Sequence, residues 1–352
     1  MDFPSFQSVI DGASDRNGDG RIGICLRPGL TISNPEDNPS DWIHIQRDNV
    51  HIAGASCKPA HIDSHAIAGY MTAIAFRVEA VAGFGLSDLE ISTAGSVYAI
   101  ELWASQGVSL DNLDIVSFGD AGGITAFYAQ FDQITNIDIE MLTDEPYSPE
   151  GGLTLSHCSA GMVSGITIKA SQGGWTRGVD LSGDVGELSN VTIDISGPSP
   201  VGVIVGSTGT LSAVDVIDGL NVTLGGYNES GLLINSADVK SISKVTIDGA
   251  TYGVEVINGA IVKDFSGLDV SNATWSMRVV SGSRIDLLQA FKLRGSLIGL
   301  DLTTPGNGEI GLLLDGVISA PVCINGIQYV GETTHVDCLE THTIERTAWP
   351  GW

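Results

Sequence analysis

A short repeat, apolar–x–apolar preceded by a small or polar residue, returns along most of this sequence at nearly constant intervals. The pairs are Leu89/Ile91, Leu113/Ile115, Ile137/Ile139, Ile166/Ile168, Val191/Ile193, Leu220/Val222, Val245/Ile247, Leu268/Val270 and Phe291/Leu293. Their second members are separated by 24, 24, 29, 25, 29, 25, 23 and 23 residues. A period of roughly 20 to 50 residues is typical of solenoids and arrays, in which each repeat buries its apolar side against its neighbours.

A second alternating segment precedes each motif by about a dozen residues. These segments are AIEL at 99–102, GLTL at 152–155, GVDL at 178–181, GVIV at 202–205, GLLI at 231–234, GVEV at 253–256 and SMRV at 276–279. In each, two apolar side chains point one way and the residue between them points the other way, which is typical of a half-buried strand. Helical periodicity of any length is absent.

Short strands at this period predict an all-β fold, a single-stranded right-handed parallel β-helix of about ten to twelve coils. Leucine-rich repeats have a similar period, but their Leu and Asn/Cys pattern is missing, and an antiparallel sandwich would not keep a constant period. We expect one elongated domain. Residues 1–21 would form an N-terminal cap helix and a turn, residues 22–327 the β-helix, and residues 328–352 a C-terminal cap or tail.

The opening of the chain resembles a known superfamily. FQSVIDGASDRNGDGRIGICLRPG followed by WIHIQRDNVHIAGAS is similar to the start of the pectin-lyase-like β-helix proteins, and with the coils the resemblance covers about residues 4 to 327. It implies a short helix that caps the open end of the solenoid. The superfamily includes polysaccharide lyases, glycoside hydrolases, epimerases, a fructotransferase, phage tailspikes and adhesins. It implies a substrate class rather than a reaction. The polygalacturonase-like set of N-x-D, D-D, G-H-G and R-I-K is absent as a set, and so is the D-P-H-D of alginate epimerases.

The net charge of the chain limits the kinds of macromolecule that it can bind. There are 16 Lys and Arg against 42 Asp and Glu, a net charge of −26. No clustered basic face is available for phosphates, so we expect no nucleic-acid partner. No apolar run is long enough to span a membrane, so we expect no membrane partner either. We expect a secreted, extracellular or virion-associated protein whose signal peptide is absent from this sequence.

Stacking of coils would align outward residues in columns about 4.8 Å apart per coil. Asp138 and Glu140 then share one strand face, Lys169 lies beside Glu140, and Asp194 lies beyond Lys169. The 142–152 insertion follows immediately, and it carries Tyr147.

The next coil adds Trp175 and Arg177 at a corner, and then outward Asp180. Carboxylates beside aromatic faces are what a sugar site needs, although a ladder of surface charges would give the same pattern.

The sequence therefore favours a carbohydrate-active enzyme that cleaves or transfers glycosidic bonds of a poly- or oligosaccharide with paired carboxylates. Glu140 would be the general acid and Asp138 or Asp194 the base or nucleophile. Lys169, Tyr147, Trp175, Arg177 and Asp180 would bind the substrate. The alternatives are a polysaccharide lyase, which the negative surface disfavours, and a non-catalytic glycan-binding solenoid such as a tailspike or adhesin.

No cofactor is required by this chemistry, but one segment resembles a calcium loop. DRNGDGRI places Asp15, Asn17 and Asp19 at alternate positions before Gly20, as in the first half of an EF-hand loop. The last ligand position of such a loop is Leu26, so the alternative is a polar turn. A calcium ion here would be structural.

Two further features concern assembly and covalent links. Glu255, Arg278 and Asp301 form a second column, which we interpret as structural because no long loop or aromatic residue accompanies it. Apolar Ile204, Leu233, Ile257 and Val280 predict an interface on the same face, and hence a homo-oligomer, most simply a trimer. Among the five cysteines, Cys323 and Cys338 are the expected bridge.

Overall fold

The computed structural model describes residues 1–15, 20–33, 43–54, 60–65, 75–94, 98–118, 122–142, 151–171, 176–207, 212–226, 230–303 and 306–339. The chain is a right-handed parallel β-helix with one short helix at its N-terminal end, so the predicted fold class is confirmed. In the described part of the chain, no helix has the length and apolar character needed to cross a membrane.

The helix α1 spans Phe3–Gly12, and a 3-10 turn spans Ile327–Tyr329. The first strands are β1 (Ile22–Cys25), β2 (Thr31–Ser33), β3 (Ile43–Ile45), β4 (Val50–Ala53), β5 (Ala60–His65), β6 (Phe76–Glu79), β7 (Gly85–Ala94) and β8 (Ile100–Trp103). The middle strands are β9 (Val108–Phe118), β10 (Ile124–Phe127), β11 (Gln130–Leu142), β12 (Gly151–Ser171), β13 (Arg177–Gly197), β14 (Val201–Val205), β15 (Ser212–Gly226) and β16 (Ser230–Asn235). The last are β17 (Ala237–Asp248), β18 (Tyr252–Ile257), β19 (Ile261–Val279), β20 (Arg284–Asp301), β21 (Glu309–Ser319), β22 (Val322–Asn325) and β23 (Val330–Leu339).

Successive coils pair in parallel along three ladders. The second ladder contains the apolar–x–apolar motifs, and the third ladder contains the alternating segments that precede them. The third ladder has twelve rungs, from β3 through β6, β8, β10, β12, β13, β14, β16, β18, β19 and β20 to β22, which confirms the predicted number of coils.

The first ladder is a sheet that the sequence analysis did not identify. It starts at β1 and β4 and continues through the N-terminal parts of the long strands, where Leu110 pairs with Leu86 and with Ile134. A signal for it exists, because an apolar residue stands three positions before each motif. Alternation does not separate that residue from the motif, because strand periodicity is 2 and the interval is 3.

The interval of three arises from a one-residue corner between the first and second ladders. Its residue has a positive φ in coil after coil, as in Asn112 (50°), Asn136 (55°), Asn190 (52°) and Ala290 (51°). The left-handed region reverses the alternation of side chains, so apolar groups on both sides of the corner point inward. Asn and Gly are common there because they adopt this region at the lowest cost.

The interior is a set of stacked aliphatic columns. Ile115, Ile139, Ile168, Ile193 and Val222 occupy equivalent positions on successive coils, and each is at most 2% exposed. The glycines that precede the third ladder allow coils to approach closely. A Cβ on Gly178 would lie 2.5 Å from the carbonyl oxygen of Gly202 on the next coil.

The N-terminal helix covers the first coil, as the resemblance implied. Phe3, Phe6 and Ile10 are buried against the solenoid. Asp2 caps the helix by accepting a hydrogen bond from the amide of Ser5 at 2.8 Å, and these side-chain and backbone bonds lower the pKa of Asp2.

At the C-terminal end, the solenoid extends past residue 327, where the predicted β-helix ends. β23 pairs in parallel with β21, but seven of its ten residues are exposed and none is fully buried. It therefore lacks the apolar alternation by which the other rungs could be recognised. The expected bridge between Cys323 and Cys338 is present and joins β22 to β23, with Cα atoms 5.9 Å apart.

The corner makes a prediction about Ala290, which is exposed and has a positive φ. Ala290→Val should lower the free energy of unfolding by about 1–2 kcal/mol, because a β-branched side chain is strained in the left-handed region. Ala290→Asn is the matched control and should leave stability unchanged or raise it. Urea unfolding followed by circular dichroism would test this, and equal midpoints for the two variants would contradict the proposed role of the corner.

Candidate active site

The predicted catalytic residues lie on the outer face of the second ladder, in the register that the repeat implied. Asp138 pairs with Thr167, and Glu140 pairs with Lys169, which pairs with Asp194. All four charged side chains are exposed. Glu140, Lys169 and Asp194 line a shallow cavity of about 190 Å³ together with Ser171 and Ser196. Their catalytic roles stay a prediction.

The acidic column extends further than the predicted pair. Upstream of Asp138 the same column contains Asp114, then Glu90, then His61, on consecutive rungs. His61 Nδ1 lies 3.6 Å from Glu90 Oε2 at the end of the column. Among the described residues, no Lys or Arg forms a salt bridge with Glu90, Asp114, Asp138 or Glu140.

Asp114 is the carboxyl group that this arrangement affects most. Its pKa is raised, first because the neighbouring strands remove part of its hydration, and then because Asp138, Glu90 and Glu140 add negative charge; His61 opposes the shift. Like charges on adjacent rungs destabilise a sheet. The column therefore holds a carboxyl group with an elevated pKa beside exposed carboxylates, which is the combination that acid–base catalysis uses.

The predicted substrate-binding residues are divided between two faces. Lys169 lies on the second ladder, whereas Arg177 and Asp180 lie at the start of β13 on the third ladder. Arg177 Nη1 donates to Asp180 Oδ2 at 2.6 Å. Burial raises the pKa of Asp180, and the charge and hydrogen bond of Arg177 partly offset this. Tyr147 and Trp175 lie outside the described residues.

The calcium prediction can be followed only at Asp15. Its Oδ2 accepts a hydrogen bond from the amide of Gly20 at 2.7 Å, as in a polar turn. Asn17 and Asp19 lie outside the described residues. Elsewhere in the described part of the chain, no three His, Cys, Asp or Glu side chains are grouped as metal ligands.

On the third ladder, a charged cluster near the N-terminal end was not recognised from the sequence. Arg77 Nε lies 2.6 Å from Glu79 Oε1 and 4.0 Å from Glu101 Oε2. His44 Nε2 lies 3.1 Å from the other oxygen of Glu79. Burial opposes the ionisation of Glu79, but Arg77 and His44 outweigh it and lower its pKa. Arg77 and Glu101 occupy one outward column with His44, which the alternation in 76–79 and 99–102 could have indicated.

Further along the third ladder, the second predicted column is confirmed in register but differs in its surroundings. Arg278 lies between Glu255 and Asp301, and its Nη1 is 3.2 Å from Glu255 Oε1. The expectation that no aromatic residue accompanies the column is wrong. Tyr252 stacks on Trp275 with ring centroids 5.0 Å apart, and the Arg278 guanidinium lies 5.1 Å from the Tyr252 ring. Because these rings precede the charged column by three residues in each strand, alternation alone did not associate them with it.

The comparisons with known proteins identify no family. No known protein family and no curated protein matches the chain. Solved structures that it resembles are the A-modules of two Azotobacter vinelandii mannuronan C-5 epimerases and an alginate lyase. The AlgE6 module is 17% identical and has a TM-score of 0.43, with 96% of this chain and 94% of that chain covered. The AlgE4 module is 16% identical and has a TM-score of 0.37, with 96% of this chain and 95% of that chain covered. The alginate lyase AlyF-OU02 in complex with G6 is 8% identical and has a TM-score of 0.38, with 94% of this chain and 85% of that chain covered.

The elevated pKa of Asp114 makes a prediction about stability and pH. A carboxyl group whose folded-state pKa is raised above its unfolded value favours the fold when protonated, and this contribution is lost as the pH rises from the unfolded pKa through the folded pKa. Asp114→Asn should therefore raise the unfolding temperature relative to wild type at pH 7, and the difference should shrink at pH 3. Calorimetry at both pH values tests this, and a variant less stable than wild type at pH 7 would contradict it.

Proposed function

We propose that the protein is a carbohydrate-active enzyme that cleaves or transfers glycosidic bonds of a poly- or oligosaccharide with paired carboxylates. The observation that carries the proposal is the column Glu90, Asp114, Asp138, in which Asp114 has an elevated pKa and no Lys or Arg among the described residues forms a salt bridge with any of the three acids. Glycosidases need one protonated and one ionised carboxyl group on either side of the scissile bond. This column supplies both on an exposed face.

Asp114 is the general acid in this proposal. Glu140, the acid favoured by the sequence, lies one rung and two residues away, where its charge helps to raise the pKa of Asp114. Protonated Asp114 would donate a proton to the departing glycosidic oxygen. Asp138 on the next rung would act as nucleophile or base.

The spacing of the pair supports a retaining reaction. Adjacent rungs are about 4.8 Å apart, and the two side chains point to the same face. Carboxyl groups in retaining enzymes are separated by about 5 Å, whereas inverting enzymes leave roughly 6.5 Å or more for a water molecule. Asp138 would then form a glycosyl-enzyme intermediate, which water or a second sugar hydroxyl resolves.

The charge of the column favours a neutral or weakly charged glycan. A uronate substrate would bring its own carboxylates against Glu90, Asp138 and Glu140, and repulsion within a Debye length of about 10 Å would weaken binding. Lys169, the rung partner of Glu140, is the cation that the register places on this face. Hydrolysis or transglycosylation is therefore favoured over β-elimination.

The test measures reducing ends and the ultraviolet absorbance of unsaturated products on a panel of neutral and acidic polysaccharides. Asp114→Asn and Asp138→Asn should each lower turnover on the order of a hundredfold to ten-thousandfold. Asp269→Asn is the matched control, because Asp269 lies in the same column but pairs with Arg294 at 2.5 Å. Because the acid form of Asp114 is required, wild-type activity should fall as the pH rises past its raised pKa.

Three outcomes would contradict this assignment. Unsaturated products would show β-elimination instead of hydrolysis. Full activity of Asp114→Asn alongside loss in Glu140→Gln would return the acid's role to Glu140. No product from any polysaccharide would favour the non-catalytic binding solenoid.

We also propose that the chain forms a homotrimer through the third ladder. Ile204 and Leu233 are half-buried neighbours in its outward column, and Ile257 is half-buried nearby. Val280, expected in the same apolar stripe, is instead 1% exposed and belongs to the interior. Light scattering should give three times the mass of one chain, and Leu233→Glu should reduce it. A monomeric wild type would remove this proposal.

A further inference from the structure

A group of aromatic side chains lies at the corner that follows the third ladder, on a different face from the acidic column. Trp103 stacks on Phe127 with ring centroids 4.4 Å apart and an interplanar angle of 24°. Tyr128 stacks on His157 with centroids 5.1 Å apart and an angle of 28°. We call these four residues the aromatic ledge.

The ledge is continuous along the solenoid axis. Trp103 and Phe127 are partners on adjacent rungs, Tyr128 follows Phe127, and His157 follows Ser156, the rung partner of Phe127. The rings therefore cover three coils, a length of about 10 Å at about 4.8 Å per rung. Trp103 is 36% exposed and Tyr128 is 61% exposed. Large aromatic side chains so accessible to water are what a partner with apolar surface would cover.

The backbone conformation at the ledge is a second observation, independent of the exposure of the rings. Tyr128 and His157 have φ values of 55° and 54°, in the left-handed region. The corner requires this region in successive coils, and at other described coils its residue is small or polar: Ala80, Ala104, Gly183, Gly206, Ser236, Asn258 and Ser281. Histidine adopts this region more readily than most residues, but a tyrosine ring in this conformation is uncommon and strained. Two adjacent coils thus place rings at this corner, and at Tyr128 a smaller residue would fold more easily.

The border of the ledge is polar. Trp103 Nε1 donates to Glu101 Oε1 at 2.8 Å, and Glu101 belongs to the cluster with Arg77, Glu79 and His44. Thr125, the rung partner of Glu101, is 1% exposed, and its hydroxyl has no hydrogen-bond partner among the described residues. A protein partner would favour an uncharged centre. A sugar presents apolar faces and a rim of hydroxyl groups, which matches rings bordered by carboxylates and a guanidinium.

We propose that the aromatic ledge is a glycan-binding surface, distinct from the carboxylate column, on which the rings of a poly- or oligosaccharide stack. The choice of a glycan rests on the proposed function, whereas the ledge itself is a feature of the structure. A polymer anchored on the third ladder would be held against the solenoid while the second ladder acts on another part of the chain. Multivalent attachment of this kind raises the effective concentration of substrate at the catalytic face.

The test is native affinity electrophoresis in gels containing xylan, β-glucan, galactomannan or polygalacturonate. Trp103→Ala and Tyr128→Asn should each weaken binding by about tenfold on the polysaccharides that retard the wild type. Tyr128→Asn keeps a residue suited to the left-handed corner, so it should fold even if Trp103→Ala does not. Phe118→Ala is the matched control, because Phe118 is 41% exposed but lies at the end of β9 on the second ladder. It should bind as the wild type does.

The outcomes separate this proposal from the catalytic one. Binding that depends on the ledge, without turnover of any polysaccharide, would support the ledge proposal and contradict the proposed catalytic function. Loss of turnover in Asp114→Asn, with unchanged binding in both ledge variants, would support the catalytic function and contradict the ledge proposal. The ledge proposal is overturned if no polysaccharide retards the wild type or if Phe118→Ala weakens binding equally. It is also overturned if Trp103→Ala instead abolishes self-association, since the rings would then bind a second copy of the chain.

Discussion

Parallel pairing between equivalent positions on successive coils is the constraint on which the rest of this molecule depends. Each strand forms hydrogen bonds with the strand one coil before it and with the strand one coil after it. The residue type at a position is therefore constrained by the equivalent positions on neighbouring coils more than by its neighbours in the sequence. An inward position must be aliphatic in nearly every coil, because a polar group there would be buried against two neighbours. An outward position repeats about every 4.8 Å. Charged side chains at outward positions therefore interact with the side chains at the same position on the two adjacent coils.

Several outward charges of the described chain are compensated by this stacking. Lys244 lies 2.9 Å from Asp218, Arg294 lies 2.5 Å from Asp269, and Arg278 lies 3.2 Å from Glu255, each across one rung. The column of Glu90, Asp114 and Asp138 differs, because acids follow one another there and, among the described residues, no Lys or Arg forms a salt bridge with them; the base beside Glu90 is His61. With 42 acids and 16 Lys and Arg, some acids must lack partners. Three acids on consecutive rungs nevertheless lower the stability of the fold, because like charges on adjacent strands repel. Asn or Thr, which occur further along the same column, would not have this cost.

The sequence was sufficient for the fold and for the columns, because both follow from alternation and period. Asp138, Glu140, Lys169 and Asp194 are neighbours as the repeat implied. It was not sufficient for the first ladder, because a left-handed corner breaks the period of two. Nor did it show that Arg177 and Asp180 lie on a different face from Glu140. That separation depends on where the chain turns between β11, β12 and β13, and the alternating pattern contains no turn angle.

Features that depend on side-chain proximity between columns were the hardest to predict. The rings of Trp103 and Phe127 are 24 residues apart, and those of Tyr128 and His157 are 29 apart; they meet only because each interval is one coil, whatever the length of its loops. The raised pKa of Asp114 likewise needs three acidic neighbours, Glu90 on the preceding coil and Asp138 and Glu140 on the following coil. Intervals of 24 and 29 residues were known from the motif, so stacking aromatic residues in the same way would have revealed the ledge.

The position of the acidic column and the aromatic ledge within the solenoid is itself informative. Glu90, Asp114 and Asp138 occupy the second ladder of the same three coils that place Trp103, Phe127 and His157 after the third ladder. Both depart from the residue type that the fold would favour at their positions: acids stack on acids in one, and rings occupy a left-handed corner in the other. A solenoid distributes stability among repeats, so a few coils can be less than optimal while the others maintain the structure. Local cost on two faces of the same coils is therefore more simply explained by selection for function there than by the demands of folding.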